Sequence, residues 1–221
     1  MTVLKIITVF MLAYLVGSIP FGLIFVKILN GRDIRNIESG RTGGTNAGRA
    51  AGTGAGVLTA VMDFFKGFIA VMIARTMMPE APWIEAIAAI FAILGHNYSI
   101  FLLERQGPGK YFLRGGAGGA PCMGGSFGFY PPSLFIILPV AMLILFGVGY
   151  ASITTLSIAF LAIVLFTIRA IAFGSSWAYV FYGVIAQILL IIALQSNIKR
   201  LLSGNERLVG IRAWLQNRKT K

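Results

Sequence analysis

The sequence predicts an all-α, polytopic membrane helix bundle, and three observations carry that reading. Of its 221 residues, 57% are hydrophobic and only 12% are charged, with a mean hydropathy of +0.83, far from the balance of a water-exposed domain. Apolar stretches close to the length that crosses a bilayer recur at about 4–29, 54–78, 83–103, 131–149, 151–172 and 175–195. The charges between them are sorted: 15 of the 19 Lys and Arg fall within residues 27–49, 105–114 and 199–221.

The first stretch is too long for the apolar region of a signal peptide, and Gly17-Ser18-Ile19-Pro20 interrupts rather than ends it, so it reads as a retained first helix. The three basic segments belong on the cytoplasmic side by the positive-inside rule, whereas the turn at 79–85, with Pro79, Glu80, Pro82 and Glu85, belongs outside. The amino terminus then lies outside and the basic tail at 199–221 is cytoplasmic. Parity asks for an even number of crossings between residues 114 and 199, where only three apolar stretches are evident, and the Gly-rich segment 115–130 supplies a fourth. The expectation is about seven spans in one membrane domain over residues 1–221; six spans with a re-entrant Gly-rich segment is the alternative.

Several function classes are excluded early. The single cysteine, Cys122, has no partner for a disulfide or a redox pair and reads as a small packing residue. One histidine and no Cys/His cluster argue against a zinc site. The net charge of +12 does not indicate nucleic acid, because it is spread over short segments between apolar stretches rather than over a soluble basic face.

Chemistry must therefore come from a few polar residues. The loop Ser39-Gly40-Arg41-Thr42-Gly43-Gly44-Thr45-Asn46-Ala47-Gly48-Arg49 combines glycines that let amides converge, hydroxyl and amide side chains, and two arginines. These are the ingredients of an anion nest, although a flexible turn has a similar composition and the Walker spacing is absent. Asp63 and Lys66 share a helix face at i and i+3 and can compensate each other or serve a site. His96 sits toward the inner end of the third stretch; imidazole suits proton transfer, but a lone helix histidine also serves packing. Asn197, Lys199 and Arg200 close the last helix, where bases also anchor an interface.

In order along the chain, these segments resemble the bacterial acyl-phosphate-dependent glycerol-3-phosphate acyltransferases. Gly17-Ser18-Ile19-Pro20-Phe21-Gly22 looks like the family's first-helix signature, and Ser39-Gly40-x-x-Gly43-x-Thr45-Asn46-x-x-Arg49 has the family's loop spacing. Asp63-x-x-Lys66-Gly67, Gly95-His96 and Asn197-Ile198-Lys199-Arg200-Leu201-Leu202-Ser203-Gly204-x-Glu206 follow in family order. Two positions depart from it. Arg41 stands where the family has asparagine, and the lysine of the family's third motif falls on Pro108 in an ungapped register or on Ala117 if an insertion is allowed. Lys110 and Arg114 are the candidates to restore that charge.

The resemblance implies a bacterial inner-membrane enzyme, its active site facing the cytoplasm, that moves an acyl group from acyl phosphate to the 1-hydroxyl of glycerol 3-phosphate. It implies Ser39, Arg49 and His96 in catalysis, with Gly40, Gly43, Thr45, Asn46, Lys66 and Asn197 binding phosphate or substrate, and His96 either accepting a proton or shaping a loop. Arg41 becomes a candidate to compensate for the missing lysine. No cofactor and no metal are implied; the partners are the two substrates, the bilayer and an enzyme that produces acyl phosphate. An anion transporter is the alternative class, against which stands the lack of an internal repeat. A non-catalytic relative is another. An alcohol-phosphate lipid transferase would carry an Asp-Gly-x-x-Asp-Gly signature, which this sequence lacks.

Overall fold

A computed structural model describes residues 2–105 and 107–219. The helices are α1 (Thr2–Ser18), α2 (Phe21–Asn30), α3 (Gly44–Ala51), α4 (Thr53–Met77), α5 (Pro82–Asn97), α6 (Gly119–Phe129), α7 (Ser133–Gly147), α8 (Ala151–Phe173), α9 (Ala178–Ala193), α10 (Gln195–Leu202) and α11 (Gly210–Lys219). Among the described residues, four helical runs are long and apolar enough to cross a membrane: Thr2–Asn30, Thr53–Met77, Pro82–Leu102 and Ala151–Phe173. The bent pair α9 and α10, which meet at 68°, supplies a fifth if it is one span. The outward faces of these helices and of α7 carry exposed Ile7, Phe135, Leu143, Ile171 and Phe173, an arrangement stable only where the solvent is lipid. The chain is an integral membrane protein.

The break between α1 and α2 falls at Ile19-Pro20, where proline removes an amide donor and turns the residue before it away from the helical region. Contacts between helix ends define two poles of the bundle. At the first, Tyr14 OH donates to Tyr98 O at 2.7 Å and Ser99 Oγ to Ser18 O at 2.5 Å. There too Ser99 N–H donates to Arg114 O at 3.0 Å and Thr42 N–H to Gly115 O at 3.3 Å. At the other pole Arg75 pairs with Glu85 at 2.7 Å, Tyr179 OH donates to Glu85 at 3.2 Å, and the Arg169 guanidinium lies 3.6 Å from the centre of the Tyr130 ring. The acidic turn near residue 80 is thus not free of bases, because Arg75 folds onto it.

The Gly-rich segment departs from the expected crossing helix over 115–130. Its helix, α6, has 11 residues, about 16 Å at the usual rise, against a hydrocarbon core of about 30 Å. Residues 115–118 stay outside the helix because Gly116 N–H donates to His96 O at 2.8 Å instead. The glycines of α6 are needed where it meets α4: a β-carbon on Gly124 would strike Phe64 O, and one on Gly67 would strike Pro121 O. Tyr182 of α9 closes the other side, donating to Cys122 O at 2.7 Å. Around this contact the core gathers Val71, Ala89, Ile93, Ile137, Phe166 and Leu190.

The all-α expectation needs one amendment. Strands β1 (Leu103–Arg105) and β2 (Tyr111–Leu113) form an antiparallel hairpin with Glu104 opposite Phe112. Gly107, Pro108 and Gly109 lie in the turn that joins the two strands, as such residues do. Glu104 then takes both Arg35 at 2.8 Å and Arg114 at 2.7 Å, fastening the hairpin to the loop before α3.

Candidate active site

The loop from Asp33 to Gly43 is held by its own polar side chains. Asp33 accepts the Arg35 amide at 2.9 Å and pairs with its guanidinium at 2.6 Å. That hydrogen bond holds the Asp33 carboxyl at about 2, against an ordinary 3.8. Gly40 adopts a left-handed φ of 67°, with Arg35 O and the Arg114 guanidinium where a side chain would project. Asn46, reaching back from α3, donates its amide to Ile37 O at 3.0 Å and Arg41 O at 2.8 Å. It is buried. The family resemblance placed Asn46 on phosphate; the structure places its amide inside the loop, where it fixes the turn, and leaves its Oδ1 without a protein partner.

The result is an exposed helix start. The amides of Asn46 and Ala47 fold onto Gly43 O at 3.1 and 3.0 Å, and those of Gly44 and Thr45 stand at the helix start with no carbonyl ahead of them. They face a cavity of about 690 Å³. Ser39, Gly43, Thr45 and Arg49 form its polar wall, with Ala117 at the start of α6 and Asn197 at the start of α10 opposite. Deeper in, Val57, Ala60, Met142, Leu145, Phe146 and Ile158 line it. A ready anion site, supplied by amides and a helix dipole, adjoins an apolar cleft.

Beneath this floor lies the polar cluster of α4 and α5. Lys66 pairs with Asp63 at 2.7 Å, both buried, and its ammonium lies 3.4 Å from His96 Nδ1 and 5.1 Å from the centre of the Phe21 ring. Asp63 and His96 reach the cavity wall; Lys66 is not among the lining residues and lies behind them. The Nε2 edge of His96 packs against Gly116.

Other expected residues fall differently. Lys110 is exposed beside the hairpin turn and is not among the residues lining these two cavities. Pro108 is exposed in the same turn, whereas Ala117 lies on the main cavity; Gln106 lies outside the described residues. Arg114 lines a second cavity of about 410 Å³ with Gly40, Arg41 and Asn97. Arg41 lines both cavities and donates to Ala193 O and, at 3.4 Å, to Ser196 Oγ. Burial and the neighbouring Arg200 lower its pKa from the ordinary arginine value.

Sequence reasoning missed part of the wall. Glu206 accepts from Asn197 Nδ2 at 2.7 Å and lines the main cavity with Leu208, Val209, Gly210 and Ala213. The only signal was the place of Glu206 in the terminal motif; residues 207–213 carried none. The expected basic tail is thus folded where described, as α10, a connecting strap and α11, with residues 220–221 outside the described part.

An amide-lined, basic anion site set against an apolar cleft at one pole of a helical bundle defines a membrane protein that handles an anionic head joined to a lipid tail. Residues 7–204 match the family described as glycerol-3-phosphate acyltransferase, and the chain belongs to that family. Among its relatives, the glycerol-3-phosphate acyltransferase of Halalkalibacterium halodurans is 34% identical over 90% of this chain and 92% of its own. One from Thermus thermophilus is 35% identical over 92% and 94%. The crystal structure of PlsY (YgiH), an integral membrane glycerol 3-phosphate acyltransferase, in its glycerol 3-phosphate form superposes with a TM-score of 0.81 at 30% identity, covering 95% of this chain and 98% of that one. The lysophosphatidic acid form gives 0.78 at 28% identity over the same shares.

Proposed function

We propose that this protein transfers an acyl group from acyl phosphate to the 1-hydroxyl of sn-glycerol 3-phosphate, giving lysophosphatidic acid and inorganic phosphate. The observation that carries the reading is the junction in one cavity of the α3 amide terminus and Arg49 with the apolar cleft between α4, α7 and α8. The donor's phosphate sits on the amides of Gly44 and Thr45 and the hydroxyls of Ser39 and Thr45, its tail in the cleft. Arg49 holds the acceptor's phosphate beside Asn197. The acceptor oxygen forms the new bond to the carbonyl carbon as the bond to the phosphate oxygen breaks; phosphate leaves with the electron pair and takes up the proton that the hydroxyl loses. The donor is already activated, so the site contributes positioning and stabilisation of the developing oxyanion.

His96 serves as a positioning residue. Its Nδ1 lies 3.4 Å from the Lys66 ammonium and 3.6 Å from Asp63 Oδ1, and its Nε2 edge packs against Gly116. Its backbone oxygen holds Gly116 as well. Both the Nε2 edge and the backbone oxygen thus meet Gly116 and shape residues 115–119 at the cavity.

The membrane reading that fits best is seven passes, with α6 the short fourth, the amino terminus outside and the cavity facing the cytoplasm of a bacterial inner membrane. The alternation of helix ends between the two poles and the basic residues near the cavity support it.

The reading is tested by phosphate release from palmitoyl phosphate by the purified protein. Release is expected to depend on glycerol 3-phosphate. Arg49→Ala should lower kcat/KM by about 100-fold or more, and Lys110→Ala should leave it within about twofold. Release indifferent to the acceptor would overturn the proposal.

A further inference from the structure

We infer that residues 206–213 form a strap that walls the donor compartment, positioning the acyl chain and keeping water from the acyl phosphate. The inference rests on the donor reading above. The match to the family ends at residue 204, so the strap follows the matched region. Beyond Glu206, which Asn197 holds at 2.7 Å, it is tied to both rims of the cavity. On one side Arg207 forms an ion pair with Glu38, next to Ser39 in the phosphate loop. On the other, Leu208 bridges to Tyr150, Val209 N–H donates to Gly149 O at 2.8 Å, and Arg212 donates to Val148 O at 3.0 Å. The strap therefore runs from the phosphate loop to the turn joining α7 and α8.

Beyond Glu206, what it turns inward is apolar. Leu208, Val209 and Ala213 line the same cavity as Met142, Leu145 and Phe146 of α7, so strap and helix make one continuous apolar wall beside the polar loop. Its ties are a few hydrogen bonds and the Arg207–Glu38 and Arg200–Glu206 ion pairs, the first of them exposed, weak and screened by salt. Such ties hold a wall in place yet release it for exchange of substrate. An activated acyl phosphate is open to attack by water: the water oxygen bonds to the carbonyl carbon, phosphate departs with the electron pair, a proton passes to solvent, and the product is a free fatty acid. An apolar wall across the mouth disfavours that reaction by exclusion, leaving the hydroxyl held by its own phosphate as the nucleophile within reach.

The test compares the full chain with a chain ending after Glu206 and with the full-length Leu208→Asn/Val209→Asn variant. Palmitoyl phosphate is the donor, and fatty acid and lysophosphatidic acid are both quantified. Removing the strap should raise KM for palmitoyl phosphate at least fivefold, leave KM for glycerol 3-phosphate within twofold, and increase the ratio of fatty acid to lysophosphatidic acid at least threefold. The double variant, which retains the ties at 207 and 212, should shift both readouts in the same direction and carries the test if the shortened chain does not fold. Unchanged donor KM and product ratio, or a loss confined to the acceptor's KM, would overturn the strap proposal alone. A full-length protein that makes no lysophosphatidic acid would overturn the donor reading and this inference with it.

Discussion

Lys66 and Asp63 are buried together in α4 with side chains about 2% exposed. Two unlike charges in such a place stabilise little in sum, because desolvation offsets most of their attraction, but removing one leaves the other uncompensated. Lys66→Met should therefore destabilise the protein by about 3–5 kcal/mol, and adding Asp63→Leu should recover most of that loss. Thermal unfolding in detergent reads both, with Asp63→Leu alone as the second single variant; a double-variant loss equal to the sum of the two single losses would show that the pair is not coupled. The pairing was legible in the sequence because i and i+3 fix it by helix geometry alone. That Lys66 faces the Phe21 ring and His96 rather than the cavity was not legible, since it depends on how α4 is rotated against α5. Asn46 teaches the same lesson: its type and spacing belong to the loop signature, but only the fold shows its amide spent on loop carbonyls.

At the scale of elements, the long apolar runs were legible because about 20 apolar residues in a row have few other places to fold. The Gly-rich segment was harder. Parity demanded a crossing there, and the backbone supplied 11 helical residues packed against α4, with the approach to α6 drawn out of the helix by His96. The hairpin was missed because its strands are 3 residues each, too short to show an alternating pattern. Whether α6 carries the chain across is decided by single cysteines at 80, 110 and 205 in a Cys122→Ala background, probed in intact cells with a membrane-impermeant maleimide. Seven passes predict labelling at 80 alone. Labelling at both 80 and 205 would place an odd number of crossings between 110 and 205 and support the re-entrant alternative.

Across the whole molecule, charge and apolarity divide the work by pole. The pole with the cavity gathers the phosphate loop, Arg41, Arg49 and Arg200; the opposite pole holds Arg75, Glu85 and Tyr179 in a clasp that joins α4, α5 and α9. Most of the polar wall could be placed from the sequence because its residues lie in compact motifs. The apolar wall could not, since Leu145, Phe146, Leu208 and Val209 are apolar residues among many and meet only when the tail folds back on α7. The account joins those walls into one site for an acyl phosphate, and donor selection tests that junction most directly. Labelled glycerol 3-phosphate is incubated with the purified protein and either palmitoyl phosphate or palmitoyl thioester. The account predicts labelled lysophosphatidic acid with the phosphate donor and none with the thioester; product from the thioester and none from palmitoyl phosphate would contradict it.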